Sequence, residues 1–194
     1  MKKILILALL FITTGIIIGY FISNPSQKEK ATITRPTPAE EISRKNCIGD
    51  DCLIDELNFP IQELPQNIKD TLLKGLDDEY KAYATYQAVM EKHGNIRPFI
   101  MIARAEQQHI TSLQGLFEKY GIQIPENPYA GKIVAPESIK SACATGVSAE
   151  IENVALYKEK LLPLVTGYPD ITQVYTNLMN ASEQKHLPAF MKCY

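Results

Sequence analysis

Two of the three histidines in this chain follow a glutamate by three residues, in Glu106-Gln-Gln-His109 and again in Glu183-Gln-Lys-His186. On an α-helix that spacing stacks a carboxylate and an imidazole on one face, one turn apart. With 15 glutamates and 3 histidines in 194 residues, chance supplies far less than one such pair. The motif brings its groups together only if the chain around it is helical, and the apolar residues agree that it is.

Four amphipathic segments repeat at a period near 3.6. The first runs from about Gln66 to His93, with Leu72, Leu76, Tyr83, Tyr86 and Met90 along one stripe and Gly94 as its stop. The second starts near Asn95, has Pro98 in its first turn, and carries Phe99, Ile102, Leu113, Phe117 and Tyr120. The third spans about Pro136 to Leu162 with Ile139, Cys143, Val147, Val154 and Leu161 inward. The fourth opens at Asp170, which can cap the helix while Gln173 completes a capping box, and carries Val174, Leu178 and Phe190. Pro188 cannot donate to Gln184 and should kink or end that helix. Strand-like alternation is absent. Short links after Gly94 and around Gly167 predict two antiparallel hairpins, and the longer link from Gly121 to Ala135 predicts a crossover at the bundle end. The fold class is therefore all-α, a four-helix bundle with one longer crossover over residues 67–194.

The first and third segments each carry a glutamate where the stripe should be apolar. Glu79 lies between Leu76 and Tyr83, Glu150 between Val147 and Val154, and each has a tyrosine seven residues later, Tyr86 and Tyr157. Each half of the chain thus reads Glu-x₆-Tyr and then Glu-x-x-His, a weak internal repeat. Four carboxylates and two imidazoles in an apolar interior need neutralising, because buried unpaired carboxylates are very costly. No Lys or Arg falls on the inward stripes at this level. Two divalent cations would balance Glu79, Glu106, Glu150 and Glu183, with His109 and His186 as the nitrogen donors; iron suits this set best, and manganese or zinc fits it too. Glu152, about 200° round the helix from Glu150, should face solvent. His93 should serve as a charge at a helix C-terminus and not as a ligand. Tyr80 and Tyr83 should pack in the bundle, and Asp77 and Asp78 should form a solvated face.

Upstream of the helices the character changes. Ile4 to Ile22 is an uncharged run of nineteen residues behind Lys2 and Lys3, within the roughly 17–25 residues that cross a bilayer. Residues 1–22 therefore form the expected N-terminal transmembrane helix, a signal-anchor that leaves the rest extracytoplasmic, or secreted if the segment is cleaved. Residues 23–46 are rich in Pro, Ser, Thr, Lys and Glu and read as a tether, and 47–66 as a loop-rich lead-in. Four cysteines suit an oxidising compartment. Cys47 and Cys52 are the natural local pair. Cys143 lies seven residues before Glu150 and Cys193 seven after His186, which in antiparallel neighbours brings both to one end of the bundle and predicts a Cys143–Cys193 bridge. A zinc site is the competing reading of four cysteines, but the spacing is not the usual paired form. The acidic stretch from Asp50 to Glu56 lacks EF-hand spacing. Twenty basic against 22 acidic side chains, net −2, offer no footprint for nucleic acid.

Leu76-Asp-Asp-Glu79-Tyr-Lys-Ala-Tyr-Ala-Thr-Tyr86, Phe99-Ile-Met-Ile-Ala-Arg-Ala-Glu106-Gln-Gln-His109 with Tyr120-Gly121, Gly146-Val-Ser-Ala-Glu150, Asp170-Ile171 and Ala181-Ser-Glu183-Gln-Lys-His186 together resemble the ferritin and rubrerythrin superfamily. More narrowly they resemble a family of small ferritin-like proteins catalogued as a domain of unknown function, over about residues 57–192. The resemblance implies a di-metal site with Glu106 and Glu183 bridging, Glu79 and Glu150 terminal, and His109 and His186 on one metal each. Tyr86 and Tyr157 would then stand behind the ligands, hydrogen-bonding their carboxylates or the opposite ligand. Rubrerythrins often carry a cysteine-rich electron-delivery module, which nothing here provides. The expected function is a membrane-tethered extracytoplasmic di-iron protein reacting with dioxygen or peroxide, of ferroxidase or other oxidoreductase type, with a homodimer as the candidate assembly. The alternative is a non-catalytic metal-binding or protein-interaction bundle. A closed storage cage does not suit a tethered chain.

Overall fold

Helix α1 (Gln66–His93) is 28 residues long, starts after Pro65 and stops at Gly94, whose φ of 86° a side chain would resist. Helix α2 (Phe99–Lys119) begins directly after Pro98. Helix α3 (Ile139–Ala155) is opened by a capping box between Ser138 and Ser141. It continues through a π-helical turn, Leu156–Leu161, and a short 3₁₀ turn, Leu162–Leu164. Helix α4 (Pro169–Ala181) runs into a second π-helical turn, Ser182–His186, and then into α5 (Leu187–Met191). This computed structural model describes residues 59–193. The expected membrane helix at 1–22, the tether and the Cys47–Cys52 bridge lie outside the described residues. Among those described there is no strand, and no helix is long and apolar enough to cross a membrane.

Local expectations at Asp170 and Ile139 need correction. Asp170 does not occupy the cap position of α4, which falls to Tyr168 without a side-chain bond, because Pro169, with its φ preset, already starts the helix; from the first turn its Oδ1 still accepts the Ile171 N–H at 2.9 Å. The other oxygen of this buried carboxylate accepts from Lys119 Nζ and Tyr120 OH, both at 2.7 Å, and so ties the start of α4 to the end of α2. The α-helix is interrupted just ahead of Pro188, by the π turn Ser182–His186, in line with the expected break. The π turn ahead of it moves Pro188 into the first positions of α5, where a missing N–H costs nothing. Ile139, expected inward, is exposed.

α1 packs along α2 and α3 packs along the α4–α5 segment, with α1 against α3 and α2 against α4 closing the ring. The connection from α2 to α3 runs alongside α1 from about Asp77 to His93 and does not merely cross one end. Its path is marked by Tyr80 OH to Pro125 O at 3.1 Å, Tyr129 OH to Asp77 at 3.1 Å and His93 Nε2 to Pro136 O at 2.8 Å. α3 can therefore start beside the end of α1. His93, in the last turn of α1, is thus a tie for the crossover.

The interior has two apolar clusters. One gathers Leu72, Leu76, Leu113, Phe117, Tyr157, Leu161, Ile171 and Tyr175; the other gathers Tyr86, Val89, Phe99, Ile102, Cys143 and Phe190. Each such side chain contributes roughly 1.5–3 kcal/mol on burial. Cys143 and Cys193 are bonded in the second cluster, with their Cα atoms 5.8 Å apart, as the spacing predicted. Glu79 and Glu106 fall in sequence between residues of the two clusters, which places a polar layer in mid-bundle.

Candidate metal centre

Each helical segment presents one face to that layer. Glu79 comes from α1, Glu106 and His109 from α2, Glu150 from α3 and His186 from the π turn before α5, and all five are buried. They form two groups that share Glu106: Glu79, Glu106 and His109, and Glu106, Glu150 and His186. Within each group one donor atom per residue lies within 4.8 Å of the others, so each could hold a metal ion. His109 Nδ1 stands 3.0 Å from both Glu79 Oε2 and Glu106 Oε2. His186 Nδ1 is 3.1 Å from Glu106 Oε1 and 3.4 Å from Glu150 Oε2, yet makes no hydrogen bond to either. The two imidazoles stack at 5.4 Å between centroids.

The tyrosines reach across. Tyr86 on α1 donates to Glu150 Oε1 at 2.6 Å, and Tyr157, in the π turn after α3, donates to Glu79 Oε1 at 2.8 Å. Each tyrosine thus holds the glutamate of the other half of the chain. Burial, with the carboxylates beside them, pushes both phenols well above their ordinary pKa, so they remain donors.

Charge is managed by protons. Burial and the neighbouring Glu106 push Glu79 up to about 8. Burial would raise Glu106 too, but His186 and His109 outweigh it and hold Glu106 well below the carboxylate range. Both imidazoles lose hydration on burial, which disfavours their charged form. Glu106 and Glu79 nonetheless lift His109 well above its usual value, and Glu106 with Glu150 lifts His186 to about 9. A cation would replace these protons, and Nδ1 of His186 faces the carboxylate oxygens of Glu106 and Glu150, which could share an ion with it.

Five of the six candidate ligands read from the sequence converge. Glu183 does not. Its side chain is 42% exposed and lies 3.8 Å from Lys158 Nζ. The reason is the π turn Ser182–His186, which takes up more residues per turn than an α turn, so Glu183 and His186 diverge round the axis. Glu152 is exposed and Tyr80 buried, as expected. Asp78 departs from the solvated face assigned to it: it is half-buried, accepts from Asn153 Nδ2 at 2.8 Å, and is pushed up to about 6 by burial. Asn153 is the residue sequence reasoning missed. It also donates to Glu79 Oε1 at 3.2 Å, and its signal was a polar side chain three residues after Glu150, the same spacing as Glu-x-x-His. Among the described residues, the three buried side-chain polar atoms without a partner are Asn153 Oδ1, Ser182 Oγ and His186 Nδ1. All three belong to the α3 and α4–α5 segments that carry the site.

Fold and site together define an all-helical protein with a buried carboxylate–imidazole cluster able to hold metal. The chain belongs to the family described as "Uncharacterized protein domain (DUF2202)", which matches residues 69–193. It is similar to the crystal structure of hypothetical protein MJ0754 from Methanococcus jannaschii DSM 2661, with 26% identity and a TM-score of 0.62, over 70% of this chain and 83% of that one. No curated protein matches it.

Proposed function

We propose that this chain is a ferritin-like di-metal carboxylate protein, iron being the ion that best suits its donors and manganese or zinc the substitutes. The observation that carries the reading is that the buried Glu106 is shared by two groups, each of which adds one further buried glutamate and one buried histidine. Glu79 and His109 would hold one ion, Glu150 and His186 the other, with Glu106 between them. Glu183 would complete the set as a fourth carboxylate by turning inward from Lys158. Bound iron would supply redox chemistry with dioxygen or peroxide, of ferroxidase or related oxidoreductase type. The chain's own contribution is to fix the ligands. Tyr86 and Tyr157 orient Glu150 and Glu79, and the two apolar clusters exclude water above and below. Residues 4–22 would anchor the domain, as a monomer or homodimer, on the extracytoplasmic side of a membrane.

The burial of five ligands also favours a second reading, a structural metal in a bundle that presents its surface to a partner. Elemental analysis of the chain purified without chelator, followed by ferrous oxidation assays, separates the two. About two irons per chain and oxidation lost in Glu106→Ala support the first. Bound metal without oxidation supports the second, and a stable metal-free protein defeats both.

A further inference from the structure

Helix α3 and the α4–α5 segment meet in three successive rungs. Cys143 is bonded to Cys193, a Cβ at Gly146 would stand 2.6 Å from the Phe190 ring, and Glu150 Oε2 is 3.4 Å from His186 Nδ1. On both segments the rungs follow one another at helical steps of three and four residues. The rise from Cys143 to Glu150 is therefore about 10 Å. Phe190, in the middle rung, also packs at 5.1 Å against Tyr86, whose phenol holds Glu150 at 2.6 Å. The five-residue α5 that carries Phe190 is too short to be stable by itself, and the bond at Cys193 ties its end covalently to α3. Beside that bond Ile96, Arg97, Ile139, Lys192 and Cys193 line a surface cavity of about 390 Å³, and no acidic side chain among the described residues lines it.

We propose that the Cys143–Cys193 bond is a redox site, reduced by dithiols that enter through this cavity, and that its reduction weakens the hold on metal at Glu150 and His186. The second half rests on the metal reading above; the first does not. Attack falls on Cys193, which is 7% exposed and lines the cavity, because Cys143 is wholly buried. Arg97 and Lys192 draw the incoming thiolate. A bond forms from the thiolate sulfur to Cys193 Sγ as the Sγ–Sγ bond breaks, and the electron pair leaves on Cys143, which takes up a proton. The second thiol of the reductant then attacks the mixed disulfide and frees Cys193. Two electrons and two protons pass from the dithiol, which leaves as a disulfide, to a chain that now holds two thiols. With its end untied α5 frays as a terminal segment does, and Phe190 no longer clamps Tyr86 against Glu150.

The test has two arms. In the first, the full chain in detergent, without denaturant, is treated with dithiothreitol, alkylated and mapped cysteine by cysteine. Cys143 and Cys193 should label together at unchanged helix content, and several-fold more slowly in Arg97→Gln/Lys192→Gln. Labelling only in denaturant, or an unchanged rate in that variant, would overturn the redox site. In the second arm, manganese is titrated into the oxidised chain and into the chain reduced and freed of dithiol by anaerobic gel filtration, each beside Phe190→Leu. Reduction should weaken manganese binding several-fold, and Phe190→Leu should weaken it without reduction. The two losses together should fall short of their product, because both act through one ring. Equal binding by the oxidised and reduced chains, or losses that multiply in full, would overturn the coupling through Phe190. No manganese on the oxidised chain would instead overturn the metal reading, while the labelling still decides the redox site.

Discussion

The phenol of Tyr86 donates to Glu150 at 2.6 Å across the bundle, joining α1 to α3 through a carboxylate that neither helix could orient alone. Tyr157 repeats the relation toward Glu79. Groups that orient ligating carboxylates typically contribute 10–100-fold to metal affinity. Tyr86→Phe should therefore weaken metal binding by about one order of magnitude while leaving helix content unchanged by circular dichroism. An unchanged binding isotherm would show that Tyr86 only packs.

Glu106 and Glu183 occupy equivalent motif positions but unequal places. Glu106 is shared by both donor groups, whereas Glu183 lies on the surface beside Lys158. Glu106→Gln should abolish both ions, and Glu183→Gln should only weaken them. Equal losses in the two variants, by elemental analysis, would mean that Glu183 is held inward with its partner.

A metal bound at the proposed centre would have to displace the protons that the surrounding carboxylates and burial favour on Glu79, His109 and His186. With Glu79 raised to about 8 and His186 to about 9, protons compete throughout the neutral range. The sign follows: apparent affinity should rise with pH from 6 to 9 and level off above it, and loading should release protons into a weakly buffered solution. Calorimetry in two buffers of different ionisation enthalpy measures that release. Identical heats in both would contradict it.

A Cβ at Gly146 would lie 2.6 Å from the Phe190 ring, which is itself wedged at 5.1 Å against Tyr86 and Phe99. The ring has nowhere to go, so Gly146→Ala should cost about 1–3 kcal/mol, as overpacking does. Thermal unfolding several degrees below the unaltered protein is the expected result, and an unchanged midpoint would refute the close approach.

The Cys143–Cys193 bond closes a sequence separation of 50. Chain entropy alone assigns such a loop about 4 kcal/mol. Chemical denaturation of Cys143→Ser/Cys193→Ser should show most of that loss, and a midpoint matching the oxidised protein would locate the stability elsewhere.

Local chemistry made much of this molecule legible in advance. The 3.6 period marked every helix because each buries one stripe, and α1 was readable to its last residue because Gly94 alone can take its φ. Glu79, Glu106, His109, Glu150 and His186 were legible because helical spacing carries a carboxylate and its neighbour to one face whatever else the chain does. Tertiary structure decided what spacing cannot express. A π turn, set where Pro188 must be accommodated, turned Glu183 outward although its motif matches that of Glu106. The crossing of Tyr86 to Glu150 and the placement of Asn153 between Asp78 and Glu79 depend on which helices become neighbours. Periodicity gives a helix its buried face, but only packing assigns that face a partner.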